Sequence, residues 1–177
     1  MKIIKNLFLF LIVVVALLAG ISQLLPAKFR FERSILVQAG ADKVYPLIND
    51  LSKWPEWSAW NTTMDPTLVY SYEGPPEGVG AISKWDGKKT GDGMMTITES
   101  DPAKGIKFDM SMEHGKYQSK GWITFAPAGT DTKVIWGFAG DVSRNPIDRW
   151  FTVFMEKLVA PDFEKGLTQL KKKVEAK

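Results

Sequence analysis

The chain has 177 residues, of which 45% are hydrophobic and 12% aromatic, so it can build one packed domain with an appendage. The net charge of +3 is small and the basic residues are scattered, which argues against a nucleic-acid-binding surface. Because there are no cysteines and only one histidine, disulfides, thiolate catalysis and a multi-histidine metal site are excluded.

The N-terminal segment differs in composition from the rest of the chain. Lys2 and Lys5 precede a largely apolar run over residues 7–25, which Pro26 closes. As a helix, this run would extend about 28 Å, close to the thickness of the hydrocarbon core of a bilayer. A signal peptide usually has a shorter apolar core and a cleavage site of small residues. Gly20 and Ser22 make a poor cleavage site.

We therefore expect a single-pass membrane anchor over residues 1–27 and a folded domain over residues 28–177. A removed signal peptide is the first alternative and a buried soluble helix is the second. The lysines before the apolar run favour a cytoplasmic N-terminus, although Lys28, Arg30 and Arg33 oppose this at the other end. We expect the domain on the outer side of the inner (cytoplasmic) membrane, in the periplasm if the source is Gram-negative.

Seven strands are predicted after the apolar segment. The first, over residues 31–39, alternates in polarity and is followed by a short helix over residues 41–51. Turn residues then separate six further strands, and the connections are too short for crossover helices, so we expect an antiparallel sheet. These six strands cover residues 67–74, 80–87, 94–100, 106–113, 117–127 and 132–140.

A long helix is predicted at the C-terminus. Asn145 as N-cap, Pro146 at the first helical position and Asp148 form its start signal. Apolar residues recur at helical spacing on both sides of Pro161, which should kink the helix or split it in two. These residues are Ile147, Phe151, Phe154 and Leu158 before the proline, and Phe163, Leu167, Leu170 and Val174 after it. A curved seven-stranded sheet covered by one long helix is the α+β helix-grip fold.

Several stretches resemble one protein superfamily. They are "ILVQAGADKVYPLINDLSKWPEWSAW", "SKWDGKKTGDGMMTITESDP", "GTDTKVIWGFAGD" and "FEKGLTQLKKKVE". The chain resembles the START and birch-pollen-allergen-like superfamily, SRPBCC, and specifically its bacterial polyketide cyclase/dehydrase-like members. The resemblance covers residues 29–175 and implies the helix-grip fold. It implies much less about function, because the superfamily includes lipid carriers, hormone-binding proteins, ring-cyclising enzymes and chaperone co-factors.

Three tryptophans stand close together in "DLSKWPEWSAW". We expect Trp57 and Trp60 to plug the gap between the short helices and the sheet, with Trp54 nearer the surface. Lining of a ligand cavity and anchoring at a membrane surface remain alternatives. Base stacking would need a basic groove, which the chain lacks.

Inward-facing apolar residues of the strands and the long helix could line a cavity. Methionine adapts to irregular shapes, so a concavity lined by methionine and tryptophan suits a deformable apolar ligand. The alternative is that the same side chains fill the space. In the predicted strand over residues 117–127, either Trp122 and Thr124 or Ile123 and Phe125 face inward. The predicted lining residues are Trp57, Trp60, Trp85, Met95, Ile97, Phe108, Met110, Met112, Trp122, Trp136, Phe138, Phe151 and Phe154.

Few residues suggest catalysis. Glu99 shares the alternation of Met95 and Ile97, so it is the one weak candidate for an inward general acid. His114 lies in a predicted turn, and "GKKTGDG" lacks the residue order of a phosphate-binding loop, so we expect a hairpin there. No inward acid is visibly paired with a tyrosine or a second carboxylate.

The sequence therefore predicts binding of an apolar small molecule or lipid, without a metal or cofactor, in a cavity between sheet and C-terminal helix at the membrane surface. Nucleic acid is not expected as a partner. One alternative is a polyketide cyclase/dehydrase-type enzyme. The other is an interaction domain with a filled core and no ligand.

Overall fold

The computed structural model describes residues 2–176, and seven strands lie within them. The strands are β1 Lys28–Val37, β2 Val69–Glu73, β3 Ile82–Asp86, β4 Gly93–Asp101, β5 Gly105–Met112, β6 Tyr117–Ala128 and β7 Asp131–Asp141. They form one antiparallel sheet in the order β1-β7-β6-β5-β4-β3-β2. Each strand therefore pairs with its neighbour in sequence, except that β1 pairs with β7. This confirms the predicted sheet.

The helices are α1 Lys2–Ser22, α2 Ala41–Asn49, a 3₁₀ helix Leu51–Glu56 and α3 Pro146–Glu175. The start of α3 is as predicted, since the Asn145 side chain accepts a hydrogen bond from the Ile147 backbone N–H at 3.0 Å. Pro161 lies inside α3 without splitting it. Pro161 has no backbone N–H to donate to the carbonyl of Lys157. Because Lys157 is exposed, water can take the place of the missing donor.

Aromatic side chains cover glycines on the inner and outer faces of the sheet. In each case the aromatic residue and the glycine are register partners on adjacent strands, and the ring leaves no room for a Cβ. Such pairs restore the apolar contact that glycine lacks while allowing the sheet to bend. The pairs are Phe29 with Gly140, Trp85 with Gly93, Phe108 with Gly121, and Trp122 with Gly137.

The buried side of α3 differs from the predicted one in its first half. Phe163, Leu167 and Leu170 are buried as expected, but the four apolar residues before Pro161 are exposed. Because α3 is continuous and Phe163 lies five residues after Leu158, their side chains point in directions about 140° apart around the helix axis. The two apolar runs therefore cannot share one face. The first half instead buries Asp148, Thr152 and Ala160.

α1 meets the criteria of length and composition for a membrane-spanning helix, and its apolar window is not buried against the rest of the protein. A signal sequence would meet the same criteria. Its C-terminal end lies beside the first turns of α3, where Nε1 of Trp150 donates to the carbonyl of Leu18 at 3.2 Å.

Candidate functional site

One half of the sheet's inner face is filled by a cluster of aromatic rings. Trp136 of β7 stacks on Phe163 of α3 at 4.3 Å between centroids and 15° between planes. Trp57 and Trp54 meet Trp136 edge-on at 5.3 Å and 5.6 Å. These contacts place α2, the 3₁₀ helix and the C-terminal half of α3 directly on the sheet, so this half is packed core.

Trp54 belongs to this core, so its expected position nearer the surface was wrong. Its side chain is only 7% exposed, and Nε1 donates to the carbonyl of Ile48 at 2.9 Å. Trp57 is completely buried and donates in the same way to Leu47 at 3.0 Å. Two backbone carbonyls at the end of α2 thus satisfy both indoles, as buried tryptophans require.

Trp136 is different, because its buried Nε1 has no hydrogen-bond partner among the described residues. Its ring is surrounded by other aromatic rings, with Trp57 and Trp60 at interplanar angles of 65° and 70°. In edge-to-face packing an N–H can point at a π face, which offsets part of the lost hydrogen bond. The environment of Trp136 is therefore largely aromatic.

The inner face becomes accessible along β5. Phe108 is 3% exposed, whereas Met110 and Met112 on the same face are only partly buried. Trp85 of β3 and Trp60 are also partly exposed. We use the name inner cleft for this accessible part of the inner face, formed by Trp60, Trp85, Met110 and Met112. These four predicted lining residues have accessible surface, whereas Trp57, Met95, Ile97, Phe108, Trp136 and Phe138 are buried in the core.

The wall of the inner cleft at Trp60 is fixed by a tyrosine. The Tyr70 hydroxyl donates to the Trp60 carbonyl at 2.9 Å. Burial, with a smaller contribution from neighbouring Tyr72, raises the pKa of Tyr70 to about 12. The hydroxyl therefore remains a donor over the physiological pH range.

A carboxylate lies at the end of the inner cleft where α3 begins. Asp148 is 8% exposed, and it accepts hydrogen bonds from the Tyr117 hydroxyl at 3.1 Å and the Ser143 hydroxyl at 2.6 Å. Tyr117 is the register partner of Met112 and shares its inner face. Sequence reasoning recognised Asp148 only as part of a helix start. Tyr117 lies more than 30 residues earlier in the chain, so no local pattern could have revealed the pair.

The N-terminal half of α3 carries an exposed apolar side. Ile147, Phe151, Phe154 and Leu158, which we call the α3 stripe, are 77%, 48%, 50% and 56% exposed. The opposite flank of α3 is tied to β1, where Arg33 forms ion pairs with Glu156 at 3.0 Å and Glu164 at 2.7 Å. The α3 stripe therefore lies on the flank of α3 away from β1.

Trp122 does not face the inner cleft. Ile123 occupies the inner face of β6 and is fully buried, so Trp122 lies on the outer face, across Gly137. The Arg30 guanidinium lies 4.2 Å from its ring centroid. A shallow groove of about 570 Å³ follows this outer face. Its charges are largely paired with one another, as in Lys120 with Asp109 at 2.8 Å.

Glu99 faces solvent, which removes it as an inward acid. A β-bulge between Ile97 and Glu99 inserts one unpaired residue into β4 and reverses the alternation beyond it. Glu99 consequently forms an exposed ion pair with Lys107 at 2.8 Å. His114 is also exposed, in the turn between β5 and β6, and its Nδ1 lies 3.1 Å from an Asp92 carboxylate oxygen.

The loop "GKKTGDG" connects β3 and β4 as a hairpin, as predicted. The buried carboxylate of Asp65 accepts hydrogen bonds from the backbone N–H groups of Lys89 and Thr90 at 2.7 Å and 3.1 Å. It also accepts a bond from the Thr67 hydroxyl at 2.6 Å. The Thr67 bond, followed by the backbone N–H donors, holds the pKa of Asp65 well below its usual range despite burial. The amides that a phosphate would need are thus already occupied.

The sequence matches the family model described as "Polyketide cyclase / dehydrase and lipid transport" over residues 28–175. Among curated proteins, none matches this sequence.

Solved structures share the fold at low sequence identity. Norcoclaurine synthase from Thalictrum flavum, in complex with dopamine and hydroxybenzaldehyde, is 18% identical with a TM-score of 0.60, covering 89% of this chain and 92% of that one. The di-domain ARO/CYC StfQ of the steffimycin biosynthetic pathway is 10% identical with a TM-score of 0.61, covering 82% and 50%. Ara h 8.0201 is 12% identical with a TM-score of 0.57, covering 85% and 99%. At these identities, the similarity establishes the helix-grip fold alone.

Proposed function

The chain belongs to the polyketide cyclase / dehydrase and lipid transport family, and within it we propose that this protein binds an apolar small molecule or lipid in the inner cleft. The observation that carries the proposal is the change along β5 from buried Phe108 to accessible Met110 and Met112. The inner face is filled at one end and open at the other. Met110 packs against the core on one side, and the accessible surface continues from it to Met112 at the end of β5.

The chemistry of the inner cleft favours a flexible apolar ligand. Two methionines adapt their shape to the ligand, and two tryptophans offer large apolar surfaces. Burial of apolar area contributes roughly 25 cal/mol per Å², before the costs of immobilising the ligand are subtracted. The Tyr117–Asp148 pair lies at the end of the cleft, where it would meet the polar end of a bound ligand.

We further propose that α1 remains attached as a membrane anchor and that residues 28–177 form the domain outside the cytoplasm. The support is the length of the apolar helix, the poor cleavage site and the lysines that precede it. An anchor would hold the inner cleft near a source of apolar ligands.

A second candidate function is cyclase or dehydrase-type catalysis, and the Tyr117–Asp148 pair is the observation that favours it. A carboxylate hydrogen-bonded to a phenol beside an apolar cleft can supply general acid–base catalysis. Asp148 also lies in the first turn of α3, where a negative charge stabilises the helix. Conversion of a polyketide-type substrate that is lost in Tyr117→Phe, while the domain stays folded, would favour the enzyme over the binding protein.

The binding proposal can be tested by photocrosslinking. The full chain in lipid nanodiscs would be exposed to a fatty acid carrying a diazirine, and labelled residues would be mapped by mass spectrometry. We expect labelling at Met110, Met112 and Trp85. Met94 is the internal control, since it is 37% exposed on the outer face of β4 next to Met95. Equal labelling of Met94 and Met110 would contradict binding in the cleft.

A further inference from the structure

Within residues 2–176, no element covers the α3 stripe, although it contains two phenylalanines, an isoleucine and a leucine. Phe151 and Phe154 are about half exposed, and Ile147 is 77% exposed. Contiguous exposed apolar side chains of this size mark an interaction surface. The helical spacing of these apolar residues predicted a side that faces the core, but in the structure this side is exposed. A binding partner of the α3 stripe must therefore come from outside the domain.

The stripe begins where α1 ends. Besides the bond from Trp150 to Leu18, Nη1 of Arg149 donates to the carbonyl of Leu25 at 2.8 Å, and the Thr152 hydroxyl donates to the carbonyl of Pro26 at 3.0 Å. An apolar groove of about 470 Å³ separates the two helices. It is lined by Val15, Leu18, Ala19, Asn145, Pro146, Ile147 and Trp150. The exposed surface of α1 thus continues into the stripe without a polar interval.

The same flank of α3 becomes polar beyond Pro161. Lys165, Thr168 and Lys172 are exposed there and follow the stripe at helical spacing. The apolar surface is therefore confined to the half of α3 that adjoins α1. This extent favours contact with a bilayer reached from α1 over a dimer interface that runs along the whole helix.

We infer that the α3 stripe docks on the membrane into which α1 inserts, with Phe151 and Phe154 in the apolar region just below the lipid head groups. This inference rests on α1 being retained as an anchor, as proposed above. Aromatic side chains are favoured at this depth. The docked orientation holds the start of α3, and with it the Tyr117–Asp148 pair, near the bilayer.

Apolar contact rather than charge should drive the docking. Acidic groups at this end of the domain already face basic partners, as in Lys116 with Glu113 at 3.2 Å and Lys28 with Asp141 at 3.8 Å, so they should not oppose docking. The exposed Arg144 and Lys157 would only add attraction where anionic lipids are present. Docking should therefore occur on vesicles of phosphatidylcholine alone and should persist at high salt.

The test uses the absence of cysteines in the chain. Phe154→Cys and Leu158→Cys in the full chain would each carry an environment-sensitive fluorophore, in phosphatidylcholine vesicles containing lipids with nitroxide-labelled acyl chains. The control is Lys172→Cys, which lies on the same side of α3 as Phe154, five turns or about 27 Å further along. We expect quenching several times stronger at the two stripe positions than at the control.

Equal quenching at Phe154→Cys and Lys172→Cys would overturn the inference. So would energy transfer between donor- and acceptor-labelled Phe154→Cys chains at low protein density, because it would assign the stripe to a second copy of the chain. Binding of a fluorescent fatty acid to the same preparations separates the two proposals. Quenching without saturable binding would contradict only the proposal that the protein binds a ligand. Saturable binding without quenching would contradict only the inference that the α3 stripe docks on the membrane.

Discussion

A Cβ added to Gly166 in α3 would lie 2.8 Å from Cζ3 of Trp136 in β7. Glycine at this position therefore lets the helix rest directly on the indole ring. This contact explains why a residue that weakens a helix interior stands in the middle of α3. It also marks the filled end of the inner face, since the helix has no space there for a ligand.

Gly166→Ala should destabilise the protein despite the higher helix propensity of alanine. Overpacking typically costs about 1–3 kcal/mol, which exceeds the roughly 1 kcal/mol that alanine gains over glycine in a helix. Urea unfolding monitored by circular dichroism would measure the change. Thr168→Ala is the matched control at an exposed position two residues away. It loses only a local bond to the Glu164 carbonyl and gains helix propensity, so it should be neutral or slightly stabilising. An increase in stability in Gly166→Ala would show that the ring can move away.

Trp54 and Trp57 should be equally important for stability. Each lies in the aromatic core with its indole N–H bonded to a carbonyl at the end of α2, so Trp→Ala at either position should cost about 3–5 kcal/mol. Trp60→Ala should cost clearly less, because Trp60 is only partly buried. Small, equal losses at all three positions in chemical denaturation would refute this assignment.

Asp65 should make the stability of the fold dependent on pH in the acid range. Its pKa is lower in the folded protein than in the unfolded chain, so its stabilising effect is complete above the unfolded value of about 4 and is lost as the pH falls below it. Thermal unfolding between neutral pH and about pH 3 would show this loss. Asp65→Asn should be less stable than wild type at neutral pH, and its stability should fall less steeply with acid. Asp109→Asn, at an exposed carboxylate paired with Lys120, should retain the wild-type profile.

The sequence predicted the strands well because each alternates in polarity and ends at turn residues. Where that alternation is ambiguous or broken, the sequence predicted less well which face of the sheet each side chain occupies. In β6, Trp122 and Ile123 are both large and apolar, so the pattern did not decide which one faces inward. At Glu99, a bulge reversed the alternation, and nothing in "MMTITES" reveals the extra residue.

The side of α3 that would be buried depended on whether Pro161 divides the helix. A break would have allowed both apolar runs to face the core, whereas the continuous helix sends them to different sides. Counting the residues between Leu158 and Phe163 would have shown the conflict. The inner cleft itself depends on how closely the helices approach the sheet, which tertiary packing determines.

The ligand proposal is tested most directly by measuring saturable binding of a fluorescent fatty acid to the full chain in nanodiscs. Binding to empty nanodiscs is subtracted, and Met110→Trp is compared with Met94→Trp. Both substitutions place an indole on β4 or β5, but Met110 lies on the inner face and Met94 on the outer face. We expect Met110→Trp to fill the inner cleft and weaken binding at least about tenfold, a loss of roughly 1.4 kcal/mol, while Met94→Trp binds like wild type. No saturable binding to wild type, or equal weakening in both variants, would contradict a ligand site in the inner cleft.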